Sequence, residues 1–165
     1  MDMQIVRRGA PPPPWGDDVP YYWEGEEFVA TTGGWIIGAI FGTNGSQSKQ
    51  SDHLFLTCTG TSQTRTYVTA NKISLANIAS LKVFLEQTTA DANKKYRVYV
   101  TNNADGTAGV SPPAVFETSQ NGDVELNLNV SSLTGEYYLA VVQFHTSSAS
   151  GTSSSKTFRF TGVKA

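Results

Sequence analysis

Asp123-Val124-Glu125-Leu126-Asn127-Leu128-Asn129-Val130 alternates a polar with an apolar residue over eight positions. A period of two is the mark of a β-strand with one face in a core and the other in water. Working outward, Leu81, Val83 and Leu85 alternate with Lys82, Phe84 and Glu86, and Tyr96, Val98 and Val100 alternate with Arg97, Tyr99 and Thr101. Further candidate strands are Tyr21–Trp23, Gly34–Phe41, His53–Cys58, Arg65–Thr69, Val115–Thr118, Tyr137–His145 and Thr157–Val163. Turn signals stand between them at Asn44-Gly45, Thr59-Gly60, Asp105-Gly106, Asn121-Gly122, Thr134-Gly135 and Gly151. Only Ser74–Ile78 and Val130–Thr134 read as helical, one turn each. Ten strands with such spacing predict an all-β fold, an antiparallel two-sheet jelly-roll sandwich over residues 21–165. The Ser/Thr/Gly-rich tracts Thr43–Ser51 and Thr146–Lys156 are expected to be mobile loops, and Thr157–Val163 to close the last hairpin.

The 165 residues suffice for one domain with a real core. Twelve Lys and Arg against fourteen Asp and Glu leave a formal charge of -2, which argues against nucleic acid and anionic membranes as partners. Charged residues are only 16%, while Ser and Thr fill 35 positions, so the surface is hydroxyl-rich and nearly uncharged. Cys58 is the one cysteine, which excludes an internal disulfide and suits a small buried hydrophobe. Met1–Ala10 carries no leader-like apolar stretch, and the longest apolar run, Trp35–Phe41, is too short to span a bilayer. The expectation is a protein made in the cytosol, with no membrane association.

Residues 1–20 read as an extended arm. Met3, Ile5 and Val6 form a brief β-prone segment, Arg7-Arg8-Gly9 breaks it, and Pro11–Pro14 impose polyproline II, a stiff rod without internal hydrogen bonds. Trp15 ends the rod, and a large ring on an arm calls for a pocket. The arm either packs on its own domain or docks in another subunit, and the four prolines, which hold it extended, favour the second. Docking in trans would make Met3, Ile5, Val6, Arg7, Pro12, Pro13 and Trp15 its anchoring residues and the assembly a homo-oligomer or lattice.

The inventory for catalysis is thin. His53 and His145 each stand at the end of an apolar strand and read as strand-terminal polar residues rather than bases. There is no G-x-S-x-G, P-loop, H-E-x-x-H or C-x-x-C. The carboxylates Asp17, Asp18, Glu24, Glu26 and Glu27 read as a solvated turn; as hard oxygen ligands, Asp17, Asp18, Glu24 and Glu26 would suit a structural calcium, although no D-x-D-x-D-G loop supports one. The expectation is therefore no enzyme. Sugar binding needs an exposed ring beside hydrogen-bonding groups, and Tyr67, Tyr96, Tyr99 and Tyr138 are the candidate rings, with Asn102, Asn103, Asn127 and Gln143 as polar company. If Val98 and Val100 face the core, Arg97, Tyr99 and Thr101 face outward, which makes these three the candidate glycan platform. Trp35, after Gly33-Gly34 and leading into Ile36, Ile37 and Ile40, reads as a core anchor at one end of the sandwich.

Tyr21-Tyr22-Trp23-Glu24-Gly25-Glu26-Glu27 with Thr32-Gly33-Gly34-Trp35, then Thr69–Leu75 with Leu81-Lys82-Val83, then Val130–Leu139, resemble in order the motifs of a domain encoded by phages and prophages of Gram-positive bacteria. That domain is a jelly roll similar to carbohydrate-binding-module sandwiches and sits on virion structural proteins. The resemblance spans residues 21–165 and leaves out the arm; Phe28 stands where such domains often carry cysteine. It implies a virion structural protein, a capsid decoration or tail-associated protein held to the lattice by its arm, with other virion proteins as partners and the virion as its location. The alternative is a lectin-like receptor-binding module for bacterial surface glycans, or an accessory module of a glycan-active enzyme.

Overall fold

The computed structural model describes residues 21–24, 27–30, 34–50 and 52–165. These form thirteen strands: β1 (Tyr21–Glu24), β2 (Glu27–Ala30), β3 (Trp35–Ile37), β4 (Gly45–Lys49), β5 (Leu54–Thr59), β6 (Gln63–Thr69), β7 (Ile73–Ser74), β8 (Ile78–Thr88), β9 (Lys94–Thr101), β10 (Ala114–Thr118), β11 (Gly122–Asn129), β12 (Glu136–His145) and β13 (Thr152–Lys164). All pairings are antiparallel, in two sheets. The six-stranded sheet runs β10-β9-β12-β6-β3 with β7 on β12. In the seven-stranded sheet the long β13 is the spine: β8 and then β11 flank one side, while β5-β4 and β2-β1 share the other. The expected all-β, antiparallel two-sheet jelly-roll-like sandwich is thus the fold of this chain.

The alternating stretches determine which side chains meet between the sheets. Val124 and Leu128 of β11, Leu81, Val83 and Leu85 of β8, and Tyr96, Val98 and Val100 of β9 are buried in one cluster with Leu139 and Val141 of β12. Trp35 and Phe160 join it, their rings 5.7 Å apart, so Trp35 is the core anchor expected. The remainder of that apolar run departs from expectation. Only residues 35–37 form strand, and Ile36, Ile37, Ile40 and Phe41 are exposed, because β3 lies at the sheet edge where no further strand covers it. The two tracts expected to be loops are corrected in part. Gly45–Lys49 pairs with β5 as a polar edge strand, and β13 begins at Thr152, so Ser and Thr there serve as ladder residues.

At one end the space between the sheets is polar. Gln63 and Arg65 of β6, Gln143 and His145 of β12, and Ser153 and Ser155 of β13 are all buried. Arg65 Nη1 donates to the Phe41 and Thr64 carbonyls at 3.0 and 2.8 Å. Cys58 is buried beside it, and burial pushes its thiol up to about 11, so the thiol is inert, as a buried small hydrophobe should be.

Candidate functional site

The strand registers of the six-stranded sheet place one set of side chains opposite the core. Val68 pairs with Ala140, Ala140 with Tyr99, and Tyr99 with Val115; one row along, Thr66 pairs with Val142, Val142 with Arg97, and Arg97 with Glu117. Directly paired residues share a face, so these rows form the outer surface of the sheet. Val68, Ala140 and Val142 are buried there, and the half-buried rings of Tyr99, Tyr138 and Phe144 pack against them.

Over Val68 and Ala140 lies the chain between β9 and β10. Ala39 N–H donates to the Asp105 carbonyl at 2.7 Å, and Gly106 lies on the sheet with φ +82°. A Cβ at Gly106 would come within 2.9 Å of Thr66 Cγ2, 3.1 Å of Val68 and 3.2 Å of Ala140, so only glycine allows this approach. The loop is clasped at its start: Thr101 Oγ1 donates to the Thr107 carbonyl at 2.6 Å and accepts from Asn103 N–H at 3.0 Å. Thr101 therefore shares the outer face with Arg97 and Tyr99 but is fully buried, and its hydroxyl is committed to the loop.

Beyond the loop the face is open around Arg97. Its Nε donates to Glu117 Oε2 at 3.0 Å, its Nη1 approaches the Tyr99 hydroxyl at 3.4 Å, and its guanidinium carbon lies 3.9 Å from the Phe144 ring centroid. Lys95 Nζ donates to the other oxygen of Glu117 at 2.8 Å. The hydrogen bond from Lys95, followed by that from Arg97, holds the Glu117 carboxyl below its ordinary range against slight desolvation. The arrangement is a pair of rings, Tyr99 and Phe144, braced by a stacked and ion-paired guanidinium, with Val115 exposed alongside. At the opposite end of β12, Lys72 Nζ sits 5.8 Å from the Tyr138 ring centroid.

The other candidates fall elsewhere. Tyr67 and Tyr96 are core residues, and the Tyr96 hydroxyl is 2.8 Å from Thr157 Oγ1. Gln143 is fully buried on the inner face, Asn127 is exposed on the seven-stranded sheet, and Asn103 is bonded to Thr107. His53 precedes β5, beside Asp52 at 2.7 Å. His145 closes β12: Nδ1–H donates to the Gly60 carbonyl and Nε2 accepts from Ser153 Oγ, each at 2.6 Å. This hydroxyl and imidazole resemble a nucleophile and its base, but both residues are 1% exposed and no substrate can reach them. Sequence reasoning missed this buried pole and Phe144; the sign available was parity, since Gln63 and Arg65 share a face with Tyr67, and Phe144 shares one with Val142. The arm residues Met3, Ile5, Val6, Arg7, Pro12, Pro13 and Trp15, and the carboxylates Asp17, Asp18 and Glu26, lie outside the described residues. Among the described residues no group of three His, Cys, Asp or Glu is placed to hold a metal ion.

No protein-family model and no curated protein matches this chain. Solved structures do. The low-affinity xylan-binding module CBM86 from Roseburia intestinalis superposes with a TM-score of 0.58 at 12% identity, covering 86% of this chain and 97% of the module. The xylan-binding module CBM15 superposes with a TM-score of 0.51 at 14% identity, over 80% of this chain and 91% of that one. The Endo-D glycoside hydrolase domain of Streptococcus pneumoniae contains a similar sandwich, with a TM-score of 0.58 at 13% identity over 78% of this chain, which spans 21% of that protein. At such identities the likeness is one of fold: this chain has the sandwich architecture of carbohydrate-binding modules.

Proposed function

We propose that this chain is a non-catalytic glycan-binding module whose site is the open part of the outer face of the six-stranded sheet. The observation that carries this reading is the braced ring pair: Tyr99 and Phe144 are half-buried, and Arg97 is held against both. A sugar stacks its apolar face on such rings while its hydroxyls bond to Arg97, Lys95 and Glu117. The ring pair is preorganised, so little side-chain entropy is lost on binding. The sandwich shared with xylan-binding modules supports the same reading. The test is affinity electrophoresis and calorimetry against soluble xylan and purified Gram-positive cell-wall polysaccharide. Tyr99→Ala and Phe144→Ala are each expected to weaken binding roughly fivefold or more, about 1 kcal/mol or more, with cooperative unfolding retained. A wild-type chain that binds no polysaccharide, or binding untouched by both substitutions, would refute it.

A second reading is the setting in which the module works. The resemblance to phage-encoded domains and the arm of Pro11–Pro14 with Trp15 favour a virion decoration or tail protein displaying this sandwich towards bacterial glycans, in a homo-oligomeric lattice. Detection of the chain in purified particles, lost when residues 1–15 are deleted, tests that placement. A structural calcium at Asp17, Asp18, Glu24 or Glu26 belongs to the same reading, and a rise in melting temperature on adding calcium would support it.

A further inference from the structure

The outer face of the six-stranded sheet carries a third ring beyond Tyr99 and Phe144. Phe41 forms an isolated bridge with Thr64, Thr64 pairs with Phe144, and Phe144 pairs with Lys95. Directly paired residues share a face, so these four stand in one row across the strands, next to the row that holds Arg97 and Glu117. Thr64 is half-buried between the two phenylalanines, which are two strand spacings apart, about 10 Å.

Phe41 is 64% exposed, yet its backbone is fixed. Its N–H donates to the Thr64 carbonyl at 3.1 Å, and its carbonyl accepts from Thr64 N–H at 2.8 Å and from Nη1 of the buried Arg65 at 3.0 Å. The turn that follows is closed on the same buried polar pole. Gly42 has φ +81°, and a Cβ there would run into the Gln63 side chain. Gln63 Oε1 accepts from Asn44 N–H, and its Nε2 donates to the Thr61 carbonyl, each at 3.0 Å. A large ring left in water on so constrained a backbone adds nothing to the core; what it offers is a preorganised stacking surface.

We propose that Phe41 is an outer subsite of the glycan face, so that the site takes an extended, linear polysaccharide lying across the strands rather than a single sugar or a chain end. This rests on the reading of Tyr99 and Phe144 as a glycan site. Two features fix the direction. From Glu117 on β10, one edge of the sheet, across β9, β12 and β6 to Phe41 beside the other edge is four strand spacings, about 19 Å. Along the strands the face is closed on one side, where Gly106 lies over Thr66, Val68 and Ala140. A bound chain therefore extends across the sheet, and its successive units meet Arg97 with Lys95, then Phe144, the Thr64 hydroxyl and Phe41.

Phe41→Ala in the full chain, titrated by calorimetry, tests this with soluble xylan and Gram-positive cell-wall polysaccharide, and with two size-selected fragments of whichever binds. One fragment is shorter than the gap from Phe144 to Phe41, the other longer than the whole row. The unsubstituted chain should bind the long fragment more tightly than the short one. Phe41→Ala should weaken the polysaccharide and the long fragment roughly fivefold, and leave unchanged both the short fragment, held at Tyr99 and Phe144, and the melting temperature. Phe41→Trp should keep the affinity for the long fragment, and Phe41→Gln decides if Phe41→Ala fails to fold. Equal weakening of both fragments, or no weakening at any length while Phe144→Ala still weakens binding, would overturn the subsite and leave the glycan reading standing. A chain that binds no polysaccharide at all would remove that reading, and the subsite with it.

Discussion

Gly106 and His145 show how much single residues decide here. Gly106 lets a loop lie flat on the outer sheet face, and Gly106→Ala combines a left-handed φ with a contact of 2.9 Å. We expect a loss of about 1–2 kcal/mol, read as a lower melting temperature, with Val68 and Ala140 becoming accessible to solvent exchange. His145 is held neutral, its pKa lowered from 6.5 chiefly by burial and also by the charge of Lys94, against the hydrogen bond to Gly60. Its folded-state value lies below the unfolded one. The associated stability is therefore complete above about pH 6.5 and is lost as pH falls through the histidine range towards the lower folded-state value. Glu117, Asp91 and Asp105, whose carboxyls are all held below their ordinary values, add a second loss at more acidic pH. Urea unfolding between pH 8 and 5 should show the first loss, and His145→Gln should abolish that first window while leaving the second.

At the scale of elements, β13 does three things along one strand. Its first half pairs with β5 through Ser and Thr, its middle bulges at Phe158, and its second half buries Phe160 and pairs with β2. The polar first half leaves a cost: Ser155 Oγ is buried and makes no hydrogen bond among the described residues. Ser155→Ala removes that unpaired hydroxyl and should raise the melting temperature, or at worst leave it unchanged, because desolvating an unpaired hydroxyl costs about 1–3 kcal/mol. A fall of several degrees would mean that the hydroxyl has a partner. The salt bridges across β9 and β10 contribute little stability, since Lys95, Arg97 and Glu117 are all partly exposed. Their value lies in holding Arg97 beside Tyr99.

For the whole molecule, the core among the described residues runs from Trp35 to Phe160, and residues 1–15 are expected from their sequence to lie outside it. Deleting those residues should leave a single cooperative thermal transition, checked by circular dichroism, whereas Trp35→Ala should cost about 3–5 kcal/mol. The strand stretches around Asp123–Val130, Leu81–Gln87 and Tyr96–Thr101 were legible because alternation is a local property: which side chain faces inward follows from chain parity alone. The two-sheet sandwich followed from their number and spacing, and the outward direction of Arg97 and Tyr99 from the inward direction of Val98 and Val100. Other features were beyond that reach. Gly45–Lys49 lacks any apolar alternation and becomes a strand only because β5 offers it a ladder. Thr101 has the right parity for an open face, and nothing in the sequence of the loop between β9 and β10 announces that it will cover that face; the contact of Gly106 with Val68 and Ala140 does so only in the fold. Phe144 joins Arg97 across two strands that are far apart in the chain. Sequence by itself determined the class of fold and the face each strand presents, since both depend on period. Which parts of those faces stay open, and which rings meet, was decided by tertiary structure, because burial there is produced by loops and registers that bring distant residues into contact.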